Sequence, residues 1–290
     1  MTSAMAYFNG ELKPLDQITI SPLDRGFIFG DGVYEVIPAY GGKLLRAREH
    51  FARLQRSMDE IHLANPHSVD EWIGEVERLL AHHPGDQSVY IQVTRGVPPK
   101  RDHVIPKGLT PTVFMMAGPL PTPSREMVEK GVACVTAKDF RWEKCHIKST
   151  SLLGNVLARQ VSADAGATET ILFRDGLLTE AAASNVFIVK DGAVAAAPQD
   201  NHILLGITYE LLTDLAREGK LRFDIRPIRE AEVRAADEIW LTSSTKEVLA
   251  VTTLDGRPVG TGVPGPVFRR MHALFQEYKA RLGAARAVAP

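Results

Sequence analysis

Two cysteines, Cys134 and Cys145, in 290 residues leave no disulfide framework, so a reducing compartment suits the chain. No run approaches the roughly 18 apolar residues that a spanning helix requires, so no membrane span is expected. A formal net charge of -1 gives no electrostatic reason to expect nucleic acid or an anionic membrane as partner. The start, Met1-Thr2-Ser3-Ala4-Met5-Ala6-Tyr7, lacks a basic stretch followed by an apolar one, so no secretory signal is expected. No internal repeat and no low-complexity tract stands out. These absences leave a soluble, cytoplasmic enzyme or binding protein as the expectation.

What is present can build a core: 44% of the residues are hydrophobic and 24% charged, enough for two ordinary domains or one large one. Asn9-Gly10 and Gly41-Gly42 predict two hairpin turns. Phe51, Leu54, Met58 and Ile61, three and four apart, predict a helix over 47–61. Ser68, with Glu71 three residues on, predicts the start of a second helix running to about His82. Short β-rich runs at 89–94 and 112–117 bracket a loop rich in proline and charge, Gly96 to Pro106. Pro119, Pro121 and Pro123 favour a stiff, extended connection. They divide the chain into a first domain of 1–118, a linker of 119–123 and a second domain of 124–290. In the second, helices are expected over 152–165, 208–218 and 267–282, with strands at 169–173, 186–189 and 238–241. The fold class is α/β with two domains.

Chemistry gathers around Lys148 and Glu180. A lysine amine can form a Schiff base with an aldehyde cofactor. Pyridoxal phosphate then acts as an electron sink, provided an acidic residue keeps its ring nitrogen protonated. Gly206-Ile207-Thr208 opens a predicted helix, and free N–H groups at a helix start suit phosphate, although an ordinary helix start reads the same way. Thr242-Ser243-Ser244-Thr245-Lys246 follows a predicted strand as a hydroxyl-rich turn, either a second phosphate clamp or simply a loop. Arg53 lies on the helix over 47–61, where an arginine is ordinarily solvated; the alternative is a charge-assisted contact to phosphate. Arg101 could hold a carboxylate in a bidentate pair, with His103 on the same loop; a basic solvated loop is the plainer alternative. Cys145, three residues before Lys148, reads as small buried filler rather than a nucleophile.

Taken together, these segments resemble the fold-type IV pyridoxal-phosphate enzymes over nearly the whole chain. The resemblance is carried by Asp24-Arg25-Gly26-Phe27-Ile28-Phe29-Gly30-Asp31-Gly32-Val33-Tyr34-Glu35 and by Glu49-His50-Phe51-Ala52-Arg53-Leu54. It continues through Ile147-Lys148-Ser149 and Leu153-Gly154-Asn155-Val156-Leu157-Ala158. Glu180 with Ser184-Asn185-Val186-Phe187, and then Gly206-Ile207-Thr208, complete an ordered set. The resemblance implies pyridoxal 5′-phosphate as cofactor, Lys148 as its Schiff-base lysine and proton shuttle, and Glu180 beside the pyridine nitrogen. It also implies cofactor contacts from Arg53, Ser184, Asn185, Leu204, Ile207, Thr208, Ser243 and Ser244. Such enzymes are two-domain homodimers with the cofactor between the domains and with partner loops reaching into each site.

Within that group the substrate-facing residues are similar to those of enzymes acting on D-amino acids. Tyr34, Arg101 and His103 would hold the substrate carboxylate, with 2-oxoglutarate as acceptor. That match needs one extra residue among Val97-Pro98-Pro99-Lys100, which makes Lys100 a rival for the arginine role. Ala181-Ala182-Ala183 departs from the group, where glycine or serine is usual. The competing readings are a branched-chain L-amino-acid transaminase, an aminodeoxychorismate lyase and a non-enzymatic cofactor-binding protein.

Overall fold

The computed structural model describes residues 4–284. They form two compact units. One holds the described residues up to Leu120 together with Ile147–Leu152; the other holds Pro121–His146 and the residues from Leu153 onward. A boundary drawn at the prolines assigns 147–152 to the second half. The segment instead pairs with the first unit: Ser149 bridges Val33, the Tyr34 N–H donates to the Lys148 carbonyl at 2.9 Å, and the Thr150 N–H donates to Gly32 at 2.9 Å. Its Ile147 joins that unit's core. Hydrophobic patterning follows contiguous chain and does not reveal a return of this kind.

The first unit is a six-stranded antiparallel sheet with two helices packed on one face. Its strands are β1 (Met5–Phe8), β2 (Glu11–Pro14), β3 (Gly32–Tyr40), β4 (Lys43–Leu44), β5 (Gln87–Thr94) and β6 (Thr112–Pro119), in the order β2-β1-β6-β5-β3-β4. The β1–β2 turn puts Asn9 at φ 47° and Gly10 at φ 95°, the left-handed pair that a tight hairpin demands. Its helices are the short α1 (Arg25–Phe29), then α2 (Ala47–Glu60) and α3 (Val69–Leu80). Ser68 and Glu71 form a reciprocal capping box at the start of α3. Phe51, Leu54 and Met58 of α2 and Trp72, Val76 and Leu79 of α3 are fully buried with Val33, Ile37 and Ile91 of the sheet. Side chains alternate across a strand, so Val33, Glu35 and Ile37 share the helix-covered face of β3 while Tyr34 points the other way.

The second unit is a nine-stranded mixed sheet of β7 (Val132–Lys138), β8 (Glu169–Arg174), β9 (Leu177–Ala181), β10 (Asn185–Lys190), β11 (Ala193–Ala196), β12 (Arg222–Ile225), β13 (Glu238–Ser243), β14 (Glu247–Leu254) and β15 (Arg257–Pro258). The strands run β12-β11-β10-β13-β14-β7-β8-β9, with β15 on β14. Its helices are α4 (Arg125–Lys130), α5 (Leu153–Asp164), α6 (Ile207–Glu218), α7 (Glu230–Arg234) and α8 (Pro266–Ala284). Helix α5 joins and packs on the parallel pair β7 and β8, and α6 and α8 pack together beside β13. The sheet is larger than the patterning predicts: β7, β9, β11, β12, β14 and β15 all lie outside the strands expected. No helix among the described residues is long and apolar enough to cross a membrane.

Candidate active site

Lys148 is set by backbone pairing rather than by a helix. Its carbonyl accepts from the Tyr34 N–H, and its own N–H donates to the Ser57 hydroxyl of α2 at 3.1 Å. This leaves the Nζ 4.2 Å from the centroid of the Tyr34 ring. An amine on an aromatic face is oriented without being covered by a carboxylate. Tyr34 in turn stacks at 5.7 Å on Tyr90, whose hydroxyl donates to Gln92 at 2.7 Å. Burial, with Tyr34 alongside, pushes the Tyr90 phenol up to about 12, so it stays a neutral donor. No motif in the sequence singles out Tyr90; period-2 alternation, which places it on the Tyr34 face of the sheet, is the one signal that could have found it.

Arg53 is not solvated as a helical arginine ordinarily is. It is buried, and its Nε and Nη2 each lie 2.7 Å from an oxygen of Glu35, which is fully buried on β3. His50 lies 2.8 Å from the same carboxylate. Burial would raise the Glu35 carboxyl, but Arg53 and His50 hold it well below the usual range, and burial keeps the His50 imidazole low. Glu35 thus aims a fixed guanidinium, a bidentate arrangement that selects arginine over lysine. Sequence alone gives Glu35 no role, although it ends the first stretch of the family resemblance.

Arg101 and His103 occupy the loop between β5 and β6 and are exposed. The Arg101 guanidinium stands 4.9 Å from the centroid of the Phe29 ring, and the His103 ring 5.1 Å from it. Lys100, the rival, points into solvent and reaches Asp102 only at 3.5 Å. The ring support distinguishes Arg101 from Lys100.

In the second unit Glu180, Asn185 and Leu204 close on one another. Glu180 accepts from the Asn185 amide at 3.1 Å and from the Leu204 N–H at 3.0 Å, while the same amide nitrogen donates to the Leu204 carbonyl at 2.9 Å. Asn185 therefore braces Glu180 rather than offering its donors to a ligand. Arg141 adds a buried contact to Glu180 at 2.6 Å and is itself held by Asp139. Burial drives the Glu180 carboxyl up to about 7 against the pull of Arg141. Arg141 and Asp139 carry no sequence signal beyond an acid and a base two residues apart. Cys145 is buried filler, as expected; its thiol donates to the Trp142 carbonyl, and burial raises it to about 11.

Helix α6 begins at Ile207 with Gly206 as N-cap, so no side chain occupies its first N–H groups. A Cβ on Gly206 would stand 2.1 Å from the Asn185 side-chain oxygen, so only glycine fits there. Ser243 ends β13, and its hydroxyl accepts from the Lys246 N–H at 3.1 Å across the turn containing Ser244. The Lys246 ammonium pairs at 2.9 Å with fully buried Glu169, which also accepts from the Ser184 hydroxyl at 3.0 Å. Ser184 thus anchors a neighbouring carboxylate. Among the described residues, the hydroxyl of buried Thr242 has no hydrogen-bond partner.

Comparison with known proteins gives a consistent picture. The class IV amino-transferase family matches residues 32–254. A Bacillus licheniformis protein named D-alanine aminotransferase is 39% identical over 270 residues, 93% of this chain and 95% of its own. A Listeria monocytogenes protein of the same name is 39% identical over 277 residues, 93% of this chain and 94% of its own. Among solved structures, a branched-chain aminotransferase of Thermoproteus uzoniensis with norvaline superposes with a TM-score of 0.88 at 23% identity, covering 97% of this chain and 95% of its own. Another solved branched-chain enzyme of the same fold holds pyridoxamine 5′-phosphate.

Proposed function

Because the chain belongs to the class IV aminotransferase family, we propose that it transfers the amino group of a D-amino acid, D-alanine foremost, to 2-oxoglutarate. The observation that carries the D-reading is the 39% likeness, along more than nine-tenths of the chain, to proteins named D-alanine aminotransferase. The branched-chain likeness, at 23% identity, reports the fold.

The enzyme depends on pyridoxal 5′-phosphate, which when bound supplies the electron sink that makes the substrate α-carbon acidic. The donor set fits that group: an oriented amine, an aimed guanidinium, a helix start without a side-chain cap, and a braced carboxylate. In our reading Lys148 Nζ carries the cofactor and then moves the proton at the α-carbon. The N–H groups of Ile207 and Thr208, the hydroxyls of Thr208, Ser243 and Ser244, and Arg53 hold the phosphate. Leu204 packs on the ring, and Glu180 holds the proton at its nitrogen. Tyr34, Arg101 and His103 hold the substrate carboxylate, which fixes the α-carbon substituent that faces Lys148.

We also read the protein as a cytoplasmic homodimer whose Arg101 loop serves the partner's site. An open depression of about 720 Å³ in the first unit, lined by Ile18, Ile20, Phe27 and Phe114 among others, supports this. Phe27 is 77% exposed beside it, an apolar surface of the kind that a partner covers. Turnover of D-alanine, L-alanine and L-leucine against 2-oxoglutarate tests the proposal. D-alanine should be fastest; L-leucine well above it would replace the D-reading with the branched-chain one. Borohydride reduction and peptide mapping should place the pyridoxyl label on Lys148, and a label on Lys144 would refute its role.

A further inference from the structure

The loop that carries Arg101 and His103 is gripped by two residues of α1, Arg25 and Phe29. Arg25, buried on α1, directs its guanidinium at three successive backbone carbonyls of that loop. Nη1 donates to Asp102 and, at 3.5 Å, to Val104, and Nη2 donates to His103 at 3.4 Å. Its Nε donates to Asp31 at 2.6 Å. Asp31 also accepts from Arg95, Nε at 2.7 Å and Nη2 at 2.9 Å, and Arg95 reaches on to the carbonyls of Ile61 and His62 at 2.6 and 2.9 Å. Burial would raise the Asp31 carboxyl, but Arg95 and Arg25 keep it below its ordinary value, so the ionic chain persists at neutral pH.

At the other end of α1, the Phe29 ring collects three cationic or aromatic neighbours. The guanidinium carbons of Arg25 and Arg101 lie 4.8 and 4.9 Å from its centroid, and the His103 ring lies 5.1 Å away. One side chain therefore shapes the loop's backbone, and one ring faces its two functional side chains.

We propose that Arg25 and Phe29 form a clamp that presets the Arg101–Val104 loop, making them positioning residues for capture of the substrate carboxylate. The proposal rests on the reading that Arg101 and His103 bind that carboxylate. A long, flexible arginine binds a carboxylate well only if its plane is fixed before the ligand arrives. Phe29 fixes that plane from one side, and the Arg25 fork fixes the peptide units that carry it.

Two variants separate this from mere structural support. Phe29→Leu keeps apolar bulk but removes the ring face, and Arg25→Lys keeps the charge but cannot reach three carbonyls. In the holoenzyme, single-turnover reaction with D-alanine is compared with D-alaninamide, which lacks the carboxylate. Both variants should lower the preference for D-alanine over D-alaninamide about tenfold, mainly through KM, with cofactor absorbance unchanged. Equal losses on both substrates, or none, would overturn the clamp. Limited trypsin digestion reads the loop without any substrate: cleavage after Lys100 and Arg101 should accelerate at least about fivefold in each variant if opening is governed by the clamp. An unchanged cleavage rate also overturns it. Arg101→Ala is the control for the underlying reading. If it spares the preference for D-alanine, the carboxylate role has failed, and the clamp is then judged on cleavage alone.

Discussion

At Glu180 two environments compete. Burial raises the carboxyl to about 7, while Arg141 at 2.6 Å pulls it down. A cationic ring nitrogen brought to this position tips the balance to the carboxylate. Glu180→Gln should retain cofactor yet slow the half-reaction at least about tenfold, since a charged partner is worth roughly 1.5–3 kcal/mol; stopped-flow absorbance reads the rate, and an unchanged one refutes the role. The same residue makes the cofactor-free protein pH-sensitive. Its folded value is raised above the ordinary 4.5, so between 4.5 and about 7 the native state holds more protons than the unfolded chain. Stability from this group therefore falls as pH rises through that window and is level above it. Relative to Glu180→Gln, the cofactor-free wild type should lose on the order of 2 kcal/mol between about pH 5 and about pH 8, measured by urea unfolding. Lys148 and Glu180 are legible in the sequence because the chemistry proposed for them calls for those residue types. Arg141, Lys246 and Arg25 are not legible as working groups, because their meaning lies in partners far along the chain: Glu180, Glu169 and the carbonyl of Asp102.

Helix α2 shows what one element can deliver. Its buried side presents Phe51, Leu54 and Met58 to the core, and the same turns bring His50, Arg53 and Ser57 to β3 and to the Lys148 segment. Glu35→Ala would leave Arg53 and His50 buried without their anion, a loss of about 3–5 kcal/mol. Urea unfolding should show that loss, and cofactor should dissociate more readily from the variant; wild-type stability would mean that water replaces the carboxylate. The helix is readable from apolar spacing, as is α3 from its capping box. Strand β14 is not. Glu247, Val248, Leu249, Ala250 and Val251 are all buried, so the strand shows no alternation. Strands β9 and β12 are too short to establish a period.

At the scale of the whole molecule, the reading of a shared site is testable with mixed chains. Lys148→Ala and Arg101→Ala proteins are each expected to be inactive or nearly so. If each loop serves the partner's site, a verified heterodimer has one site with both residues intact, and activity should return to about half of wild type per dimer. No recovery would assign the loop to its own subunit's site. One further property follows from the return of Ile147–Leu152 to the first unit. The edge groups of Gly32 and Tyr34 meet their partners at Thr150 and Lys148 only after the strand β7 has already been made. On the ribosome, then, the first unit cannot finish before the second has begun. A nascent chain stopped at 120 carries every strand of its sheet, yet it lacks the returning piece that completes the β3 edge and brings Lys148. Chain order thus ties the arrival of Lys148 to completion of the unit that orients it, and newly made chains shorter than about 152 residues hold an unfinished scaffold.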